Sequence, residues 1–339
     1  MDARAENFQE RIKSVDGDAA FSALALDVFR YQAEHNEVYS RFLKLMRVEV
    51  EDVRSISDIP FMSVEAFKTN EVVAGGFEAE AVFKSSGTTS SERSEHRVKS
   101  LEWYHSVSER VFSELVRPVV DVEWVGLLPG YLERGDSSLV EMVRNFMKIS
   151  GSEEDFFMHD YGRLESRVRE KLNGGRDVCL MGVTHAILNW LEGEEGPEFS
   201  DSELARLSII ETGGMKGHGR EPIRAEVHDR IRAALPAVEI LSEYGMTELL
   251  SQAYSSDGKY FEAPKWMRVV VVDTADPKSV VEAGRTGRVQ IIDLANIDSC
   301  SFISTSDLGR KEAVEGSERF EILGRFDHSE VRGCNLLSV

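Results

Sequence analysis

One short segment of the chain concentrates groups that could bind phosphate. Residues 84–93 read K-S-S-G-T-T-S-S-E-R, so hydroxyl side chains surround Gly87 between a lysine and an arginine. Glycine adopts backbone conformations that direct successive N–H groups at one anion. Apolar residues on both sides predict that the segment joins two strands. A solvated serine and threonine turn is the alternative, because the G-K-[ST] ending of a Walker-type phosphate loop is missing.

Two further segments carry residues suited to a nucleotide. E-T-G-G-M-K-G-H-G occupies residues 211–219, and S-E-Y-G-M-T-E occupies residues 242–248. The first is rich in glycine and should end at a helix N-terminus, where free N–H groups and the helix dipole favour an anion or a planar ring. Glu211 could orient that loop, or it could be a surface carboxylate.

Alternating strands and helices should position these segments. Apolar runs predict strands at residues 123–128, 177–183, 207–210 and 238–241. Helices are expected at residues 139–147 and 186–191, from Pro222 to Pro236, and from near Thr247. This alternation favours a parallel sheet covered by helices. Both segments then follow strands at the same sheet edge and should be neighbours in space.

The residue patterns at the two ends of the chain differ from the alternating strands and helices predicted for the middle. Apolar residues at helical spacing, such as Phe21, Leu24 and Phe29, mark the first part. Beyond Trp266, short apolar runs separated by Gly and Asp indicate strands. The sequence therefore predicts a helical N-terminal region at residues 1–55, an α/β core at 56–264 and a β-rich subdomain at 265–339.

Composition narrows the class of partner. Sixty acidic residues against forty basic ones give a net charge of −20, which disfavours nucleic acid and anionic membranes. No apolar run approaches the roughly 20 residues needed to span a bilayer. The first residues also lack the apolar core of a secretion signal. We therefore expect a cytoplasmic protein without membrane insertion, in which any phosphate site is built locally.

The cysteines and histidines show no metal-binding pattern. The three cysteines, Cys179, Cys300 and Cys334, are widely spaced, which indicates neither a disulfide framework nor a zinc cluster. Cys179 and Cys300 lie in apolar runs and are expected in the core. Any metal is expected to arrive with a nucleotide.

Five segments in this order resemble the adenylate-forming enzyme superfamily. They are S-S-G-T-T-S at residues 85–90, the glycine pair at 213–214, Y-G-M-T-E at 244–248, S-T-S-D-L-G at 304–309 and G-R-F-D at 324–327. The resemblance implies an α/β fold of the N-terminal domain type of these enzymes. Mostly parallel, helix-covered sheets would then carry a small β-rich C-terminal subdomain.

A narrower resemblance is to the LuxE-like acyl-protein synthetases, which activate fatty acids in bacterial fatty acid reductase complexes. It rests on I-P-F-M-S-V-E-A-F-K-T-N-E-V at residues 59–72 and on V-R-G-C-N-L-L near the C-terminus. The similarity runs from about residue 55 onward.

The resemblance implies that the site binds ATP and Mg²⁺. Attack of a carboxylate on the α-phosphate needs cations and donors, since both reactants are negative. Glu248 would help to hold Mg²⁺, and Thr247 would contact the α-phosphate. The remaining implied nucleotide ligands are Ser85, Ser86, Gly87, Thr88, Thr89 and Arg93 for the β- and γ-phosphates, Gly213 and Gly214 at the adenine edge, Tyr244 with Gly245 against adenine, and Asp307 and Arg325 on the ribose.

The sequence departs from the superfamily pattern at two glycines and at its end. Ser90 and Ser306 stand where the pattern has glycine, which bears on the local backbone geometry. Most relatives continue after G-R-x-D into a lid domain with a catalytic lysine. Because the sequence ends at Val339, we expect no lid.

Cys334 follows Arg325 by nine residues and matches the position of the acyl-accepting cysteine in the LuxE-like family. Nine extended residues reach about 30 Å, enough to bring a thiol to an acyl-adenylate. The alternative is a terminal cysteine that packs against the body. His185 and Tyr131 are candidates for the wall of the acyl site, although a structural histidine and an ordinary loop are the alternatives.

The function implied is activation of a fatty acid as acyl-adenylate, followed by transfer to Cys334 as a thioester for delivery to an acyl reductase partner. One alternative is transfer of an aryl or short acyl group to coenzyme A, as in phenylacetate-CoA-ligase-like relatives. Another is a non-catalytic subunit that binds a nucleotide or an acyl group.

Overall fold

The computed structural model describes residues 3–86, 93–193, 196–213 and 223–325. Its chain divides into two compact units. The first comprises Met1–Ala66, Val72–Ala74 and Lys265–Val339, and the second comprises Phe67–Glu71 and Gly75–Pro264. The N-terminal helices and the C-terminal strands thus belong to one unit.

Helices and strands alternate through the middle of the chain. The helices are α1 Ala3–Ser14, α2 Asp18–His35, α3 Glu37–Leu45, α4 Ala66–Thr69, α5 Leu101–Leu115, α6 Ser138–Ser150, α7 Tyr161–Asn173, α8 Thr184–Leu191, α9 Asp201–Leu204 and α10 Arg224–Ala234. The strands are β1 Met62–Ser63, β2 Ala81–Lys84, β3 Glu95–Val98, β4 Val122–Leu127, β5 Phe156–Phe157, β6 Asp177–Gly182, β7 Leu207–Glu211, β8 Glu239–Tyr244, β9 Ala253–Ser255, β10 Met267–Val272, β11 Gly287–Asp293, β12 Phe302–Lys311 and β13 Phe320–Arg325.

A six-stranded sheet forms the core of the second unit. Its order is β5-β4-β6-β7-β8-β9, with parallel pairing from β5 through β8. Val125, Leu180, Ile209 and Ile240 lie in register across it. Strands that are covered on both faces have continuous apolar sequences, which is why the apolar runs locate them well. The predicted parallel sheet is confirmed.

The helix predicted from near Thr247 is wrong. The chain turns after β8 and returns as β9, which pairs antiparallel with β8. Every residue from 248 to 255 is buried, whereas a helix that covers a sheet exposes one side. The last strand of this sheet is therefore antiparallel to its neighbour.

Capping residues and buried apolar residues explain where the helices beside the sheet begin and end, as α6 shows. The Ser137 side chain accepts a hydrogen bond from the N–H of Val140 at the start of α6, and Gly151 ends that helix in the left-handed conformation. Between these ends, Val143, Phe146 and other apolar residues are buried. Cys179 in β6 is also buried, which raises the pKa of its thiol to about 12, so it is a core residue as predicted.

The first unit joins helices α1–α3 to a five-stranded sheet. Its strands follow the order β1-β12-β11-β10, and β13 also pairs with β12. The buried Gln32 of α2 donates to the carbonyl oxygens of Asn296 and Ile297 and accepts from the N–H of Ser301. Cys300 is buried in the same segment, as predicted. The β-rich character expected for the C-terminal part is confirmed.

Within the described ranges, no helix is both long enough and apolar enough to cross a membrane.

Candidate functional site

Residues 84–93, which we call the hydroxyl-rich segment, connect two paired strands. Lys84 of β2 lies opposite Glu95 of β3 in an antiparallel pair, as the flanking apolar residues predict. The Ser85 N–H donates to the Ser94 carbonyl, and the Ser94 N–H donates to the Ser85 hydroxyl, each at 3.0 Å. These bonds close the base of the loop. Gly87, Thr88, Thr89 and Ser90 lie outside the described residues.

Arg93 anchors this base rather than extending from it. Its guanidinium donates to the carbonyl oxygens of Ser85 and Lys84 at 2.5 and 3.1 Å. It also forms a two-pronged ion pair with Asp136, at 2.7 and 2.9 Å. Four of its five N–H donors act in this way if each bond uses a different hydrogen. Contact of Arg93 with phosphate stays a prediction.

The loop that follows β4 supports the same base. The backbone carbonyl oxygen of Asp136 also accepts a hydrogen bond from the Lys84 N–H, at 2.9 Å. Arg134 donates to the Ser86 carbonyl at 2.8 Å. Tyr131, a predicted acyl-site residue, is partly buried in this loop. The hydroxyl-rich segment and the loop after β4 therefore form one structural element.

A histidine that the sequence analysis did not single out ties β3 to the Y-G-M-T-E segment. His96 is 1% exposed, and its Nδ1 lies 2.8 Å from the carbonyl oxygen of Thr247. Because a carbonyl oxygen only accepts, His96 Nδ1 carries the proton. The edge of the His96 ring also faces Phe67. The signal for this residue was a histidine at an inward position of a short strand.

Glu211 orients the start of the glycine-rich loop, one of the two alternatives for this residue. Its carboxylate accepts from the N–H of Gly213 at 3.0 Å and from the Thr184 hydroxyl at 3.1 Å. Gly213 has φ of 69°, a conformation that favours glycine. Thr184 in turn donates its N–H to the Gly213 carbonyl at 3.1 Å. Gly214 lies outside the described residues.

Burial and the neighbouring hydrogen-bond donors have opposite effects on the pKa of Glu211. Burial alone would raise its pKa, but hydrogen bonding from His228, the charge of Arg224 and bonds from Ser242 and Gly213 outweigh it and lower the pKa to about 2. Glu211 is therefore ionised although it is only 4% exposed. The predicted proximity of the two loops holds for their described parts, because Glu211 lies in register with Ser242.

The network extends to His228 on α10, which the sequence analysis missed. Its Nε2 lies 2.9 Å from the Ser242 hydroxyl oxygen, and its Nδ1 has no partner among the described residues. The same Nε2 lies 3.8 Å from the Glu211 carboxylate, so His228 faces both residues. A polar residue on the apolar face of a helix was the available signal.

Glu243 and Tyr244 are the last two residues of β8, where the strand meets the Y-G-M-T-E segment. Tyr244 is buried, and its ring packs against Phe261 at 5.7 Å. Glu243 keeps some accessible surface, but its carboxyl lies among closely packed protein atoms. This desolvation, with the negative charge of Glu211, raises the pKa of Glu243 to about 8. Stacking of Tyr244 on adenine stays a prediction.

The donor set of the Y-G-M-T-E segment fits Mg²⁺. The Glu248 carboxylate is 5% exposed and adjoins the partly buried Thr247, and such hard oxygen groups suit this ion. Among the described residues, no group of three or more His, Cys, Asp or Glu side chains could hold a metal by itself. A magnesium ion at this segment would need most of its ligands from phosphate and water.

His185 lies in the first turn of α8, directly after Thr184, and is partly buried. Its neighbour Thr184 contacts Glu211, which puts His185 near the start of the glycine-rich loop. A role for His185 in the wall of an acyl site stays a prediction.

The predicted ribose ligands lie in the first unit. Asp307 of β12 and Arg325 of β13 are directly opposite each other in an antiparallel pair. Ser306, which replaces a glycine of the superfamily pattern, needs no glycine-like backbone, because Arg47 is the only described non-glycine residue with positive φ. Cys334 lies outside the described residues.

Comparison with models of protein families finds no match. The search of curated proteins also finds no match. The structure is similar to that of ATP-bound MatB from Rhodopseudomonas palustris, with a TM-score of 0.55 and 18% identity over 74% of this chain. It also resembles 2-hydroxyisobutyryl-CoA ligase in the postadenylation state with 2-HIB-AMP, with a TM-score of 0.67 and 16% identity over 91% of this chain.

These similarities confirm the predicted fold class. The chain has the mixed α/β architecture of the N-terminal domain of adenylate-forming enzymes, with a β-rich C-terminal part. It spans about half of the MatB chain, 49%, and 68% of the 2-hydroxyisobutyryl-CoA ligase chain.

Proposed function

We propose that this protein activates a carboxylic acid with ATP. A carboxylate oxygen attacks the α-phosphorus, the bond from that phosphorus to the bridging oxygen breaks, and pyrophosphate leaves. The product is an acyl-adenylate, a mixed anhydride whose carbonyl carbon is ready for a nucleophile.

The observation that carries this proposal is the connection of three loops within the second unit. Arg93 and Asp136 join the hydroxyl-rich segment to the loop after β4. His96 joins β3 to Thr247. Loops that meet at the carboxyl edge of a parallel sheet form its usual ligand site. The similarity to structures solved with ATP and with an acyl-adenylate supports the same reading.

The chain's own residues would bind the nucleotide and offset its charge. Ser85, Ser86 and the following residues would donate to the β- and γ-phosphates, and Thr247 would donate to the α-phosphate. Glu248 would help to hold Mg²⁺, which, when bound, shields the negative charge of the reacting groups. Asp307 and Arg325 would hold the ribose.

For the acyl acceptor we propose Cys334. Its thiolate would attack the acyl carbonyl carbon, AMP would leave, and the thiol proton would pass to solvent. An acyl reductase would then receive the acyl group. Coenzyme A is a second candidate acceptor, because the similar structures include a CoA ligase.

The first test is exchange of labelled pyrophosphate into ATP across a panel of carboxylic acids. We expect exchange with at least one acid, and we expect Thr247→Val to lower it about tenfold or more, the effect of losing a bond to a charged group. Thr274→Val, at an exposed position of the first unit, is the matched control. ATP binding without exchange for every acid would favour the non-catalytic alternative.

The acceptor is tested by intact mass after incubation with ATP and the best acid. A mass increase equal to the acyl group that disappears in Cys334→Ser supports self-acylation. Release of acyl-CoA with no adduct would transfer the proposal to coenzyme A. Cys179 and Cys300 are buried and serve as internal controls, since they should stay unmodified.

A further inference from the structure

Three polar side chains share one face of the β8–β9 pair. Glu243 lies directly opposite Tyr254, so the two side chains are on the same face. Gln252 precedes β9 by one residue, and its Cγ lies 3.5 Å from the position that a Cβ on Gly245 would take. The same constructed Cβ would collide with the Glu243 carboxyl. We call Glu243, Gln252 and Tyr254 the polar cluster.

Two members of the polar cluster, Gln252 and Tyr254, are buried and each carries an unsatisfied polar atom. Gln252 is 5% exposed and Tyr254 is 3% exposed. The Tyr254 hydroxyl and Gln252 Oε1 have no hydrogen-bond partner among the described residues. Buried polar groups in native proteins nearly always have partners, so an unsatisfied group points to a bound water or ligand.

The α5 helix lies beside the polar cluster. The ring of Phe112 on α5 contacts the Tyr254 ring edge-on at 5.3 Å. On the same helix, the Tyr104 hydroxyl donates to the Ser138 carbonyl at 2.8 Å. Desolvation and the negative charge of Glu211 raise the pKa of Glu243 to about 8, so its carboxyl is neutral near pH 7 and both donates and accepts.

We propose that the polar cluster binds a hydrogen-bond-donating substituent, a hydroxyl or an ammonium group, on the carboxylic acid that the enzyme activates. This rests on the proposed function. Gln252 Oε1 and the carbonyl oxygen of the neutral Glu243 carboxyl accept, and the Tyr254 hydroxyl completes the set. β8 leads from Glu243 directly into Tyr244 and Gly245, so the cluster adjoins the Y-G-M-T-E segment.

An unsubstituted alkyl chain is a poor occupant for this position. It would leave the Tyr254 hydroxyl and Gln252 Oε1 without a hydrogen-bond partner. Sites built around hydrogen-bonding groups discriminate strongly against analogues that lack the partner group. The inference therefore favours a substituted acid over the unsubstituted fatty acid that the sequence resemblance implies.

The test uses pyrophosphate exchange with the full chain and matched acids. Butanoate, hexanoate and decanoate are each compared with their hydroxy and amino derivatives at several positions. We expect one substituted acid to exceed its unsubstituted parent by about tenfold or more in kcat/KM. The hydroxy and amino arms separate the two kinds of donor.

Variants then connect that preference to the polar cluster. Tyr254→Phe and Glu243→Gln keep the side-chain shape, and each should raise KM for the substituted acid about fivefold with little change for the parent acid. Glu239→Gln, at the other end of β8, is the matched control. Without substrate, Tyr254→Phe should melt at the same or a higher temperature, because no hydrogen bond within the described protein is lost.

The outcomes separate the two proposals. Equal turnover of parent and substituted acids, or a preference that the variants leave unchanged, overturns the polar-cluster inference and leaves adenylation intact. A lower melting temperature of Tyr254→Phe with unchanged preference indicates structural water and also overturns it. Absence of exchange with every acid overturns the proposed function, and the inference fails with it.

Discussion

Arg93 fixes the base of the hydroxyl-rich segment through bonds to two carbonyl oxygens and to Asp136. A planar guanidinium suits this position, because it reaches a carboxylate and two carbonyls at once. The sequence resemblance assigned Arg93 to phosphate. That assignment stays a prediction, and the contacts support a positioning role for Arg93 in holding the loop that would bind phosphate.

Arg93→Lys should therefore weaken nucleotide binding without abolishing the chemistry. Lysine cannot reproduce the forked contact, so KM for ATP should rise about tenfold in pyrophosphate exchange, the effect of about 1.4 kcal/mol. Arg110→Lys, in an exposed pair with Glu114, is the control. Arg93→Ala and Asp136→Ala should be non-additive when combined. Additive effects would show that the pair does not act as a unit.

Glu211 makes stability depend on pH. The pKa of Glu211 in the folded protein, about 2, lies below its ordinary value of 4.5, so ionisation favours the folded state. This contribution is present above about pH 4.5 and is lost as pH falls toward 2. The shift corresponds to about 3 kcal/mol.

The measurement is urea unfolding at pH values from 6 down to 3. The wild-type midpoint should fall over this range, and Glu211→Gln should start lower and fall less steeply. Glu262→Gln provides a carboxyl control in the same unit. A slope that is identical in Glu211→Gln and wild type would contradict this origin of the pH dependence.

At the scale of elements, β12 and β13 can lie close together because residue 309 is a glycine. A Cβ added there would lie 2.5 Å from the Glu321 carbonyl oxygen and 2.7 Å from Val289 Cγ2. The pair also has an irregular register between Leu308 and Gly309, which brings Asp307 opposite Arg325. The position of the predicted ribose ligands thus depends on a glycine that is not itself a predicted ligand.

Gly309→Ala should destabilise the first unit by about 1–3 kcal/mol, because backbone atoms cannot move aside as a flexible side chain can. Thermal unfolding by circular dichroism measures the loss. Gly76→Ala is the control, since no atom lies within 4 Å of its added Cβ. An unchanged melting temperature for Gly309→Ala would mean that β13 shifts freely relative to β12.

The sequence predicted elements best where one physical signal dominated. Continuous apolar runs located β4, β6, β7 and β8, because these strands are buried on both faces. The segment after Gly245 misled the prediction, since burial of residues 248–255 depends on pairing with β8 and not on any local period. Long-range pairing of this kind overrides local propensity.

For the candidate site, the sequence indicated the segments but not the contacts between them. Motif order located the segments that carry Ser85, Gly213 and Thr247. It could not reveal His96, His228 or the Asp136 partner of Arg93, because these side chains matter through contacts between residues distant in sequence. Partner identity depends on the assembled sheet, which no single segment encodes.

At the scale of the whole molecule, the first unit is built from both ends of the sequence. Gln32 and Asn36 on the N-terminal helices bond to the chain around residues 296–301. A buried amide that serves several partners is costly to replace, because each partner then lacks a bond.

Gln32→Leu should destabilise the first unit by about 2–4 kcal/mol, since several buried backbone groups lose their partners at once. Gln9→Leu, at a less buried position on α1, should change stability by less than about 0.5 kcal/mol. Chemical denaturation followed by circular dichroism compares the two. Equal effects would show that the Gln32 bonds are not needed to hold helices and strands together.

The split arrangement of the first unit has a consequence for synthesis. Residues 67–264 leave the ribosome after the N-terminal helices and before the strands that complete their unit. At ordinary translation rates that interval lasts about 10–40 s. The second unit is contiguous apart from residues 72–74 and can fold during this time. The apolar side chains of α1–α3 that pack in the first unit stay without their partner strands until residues 265 onward have been made.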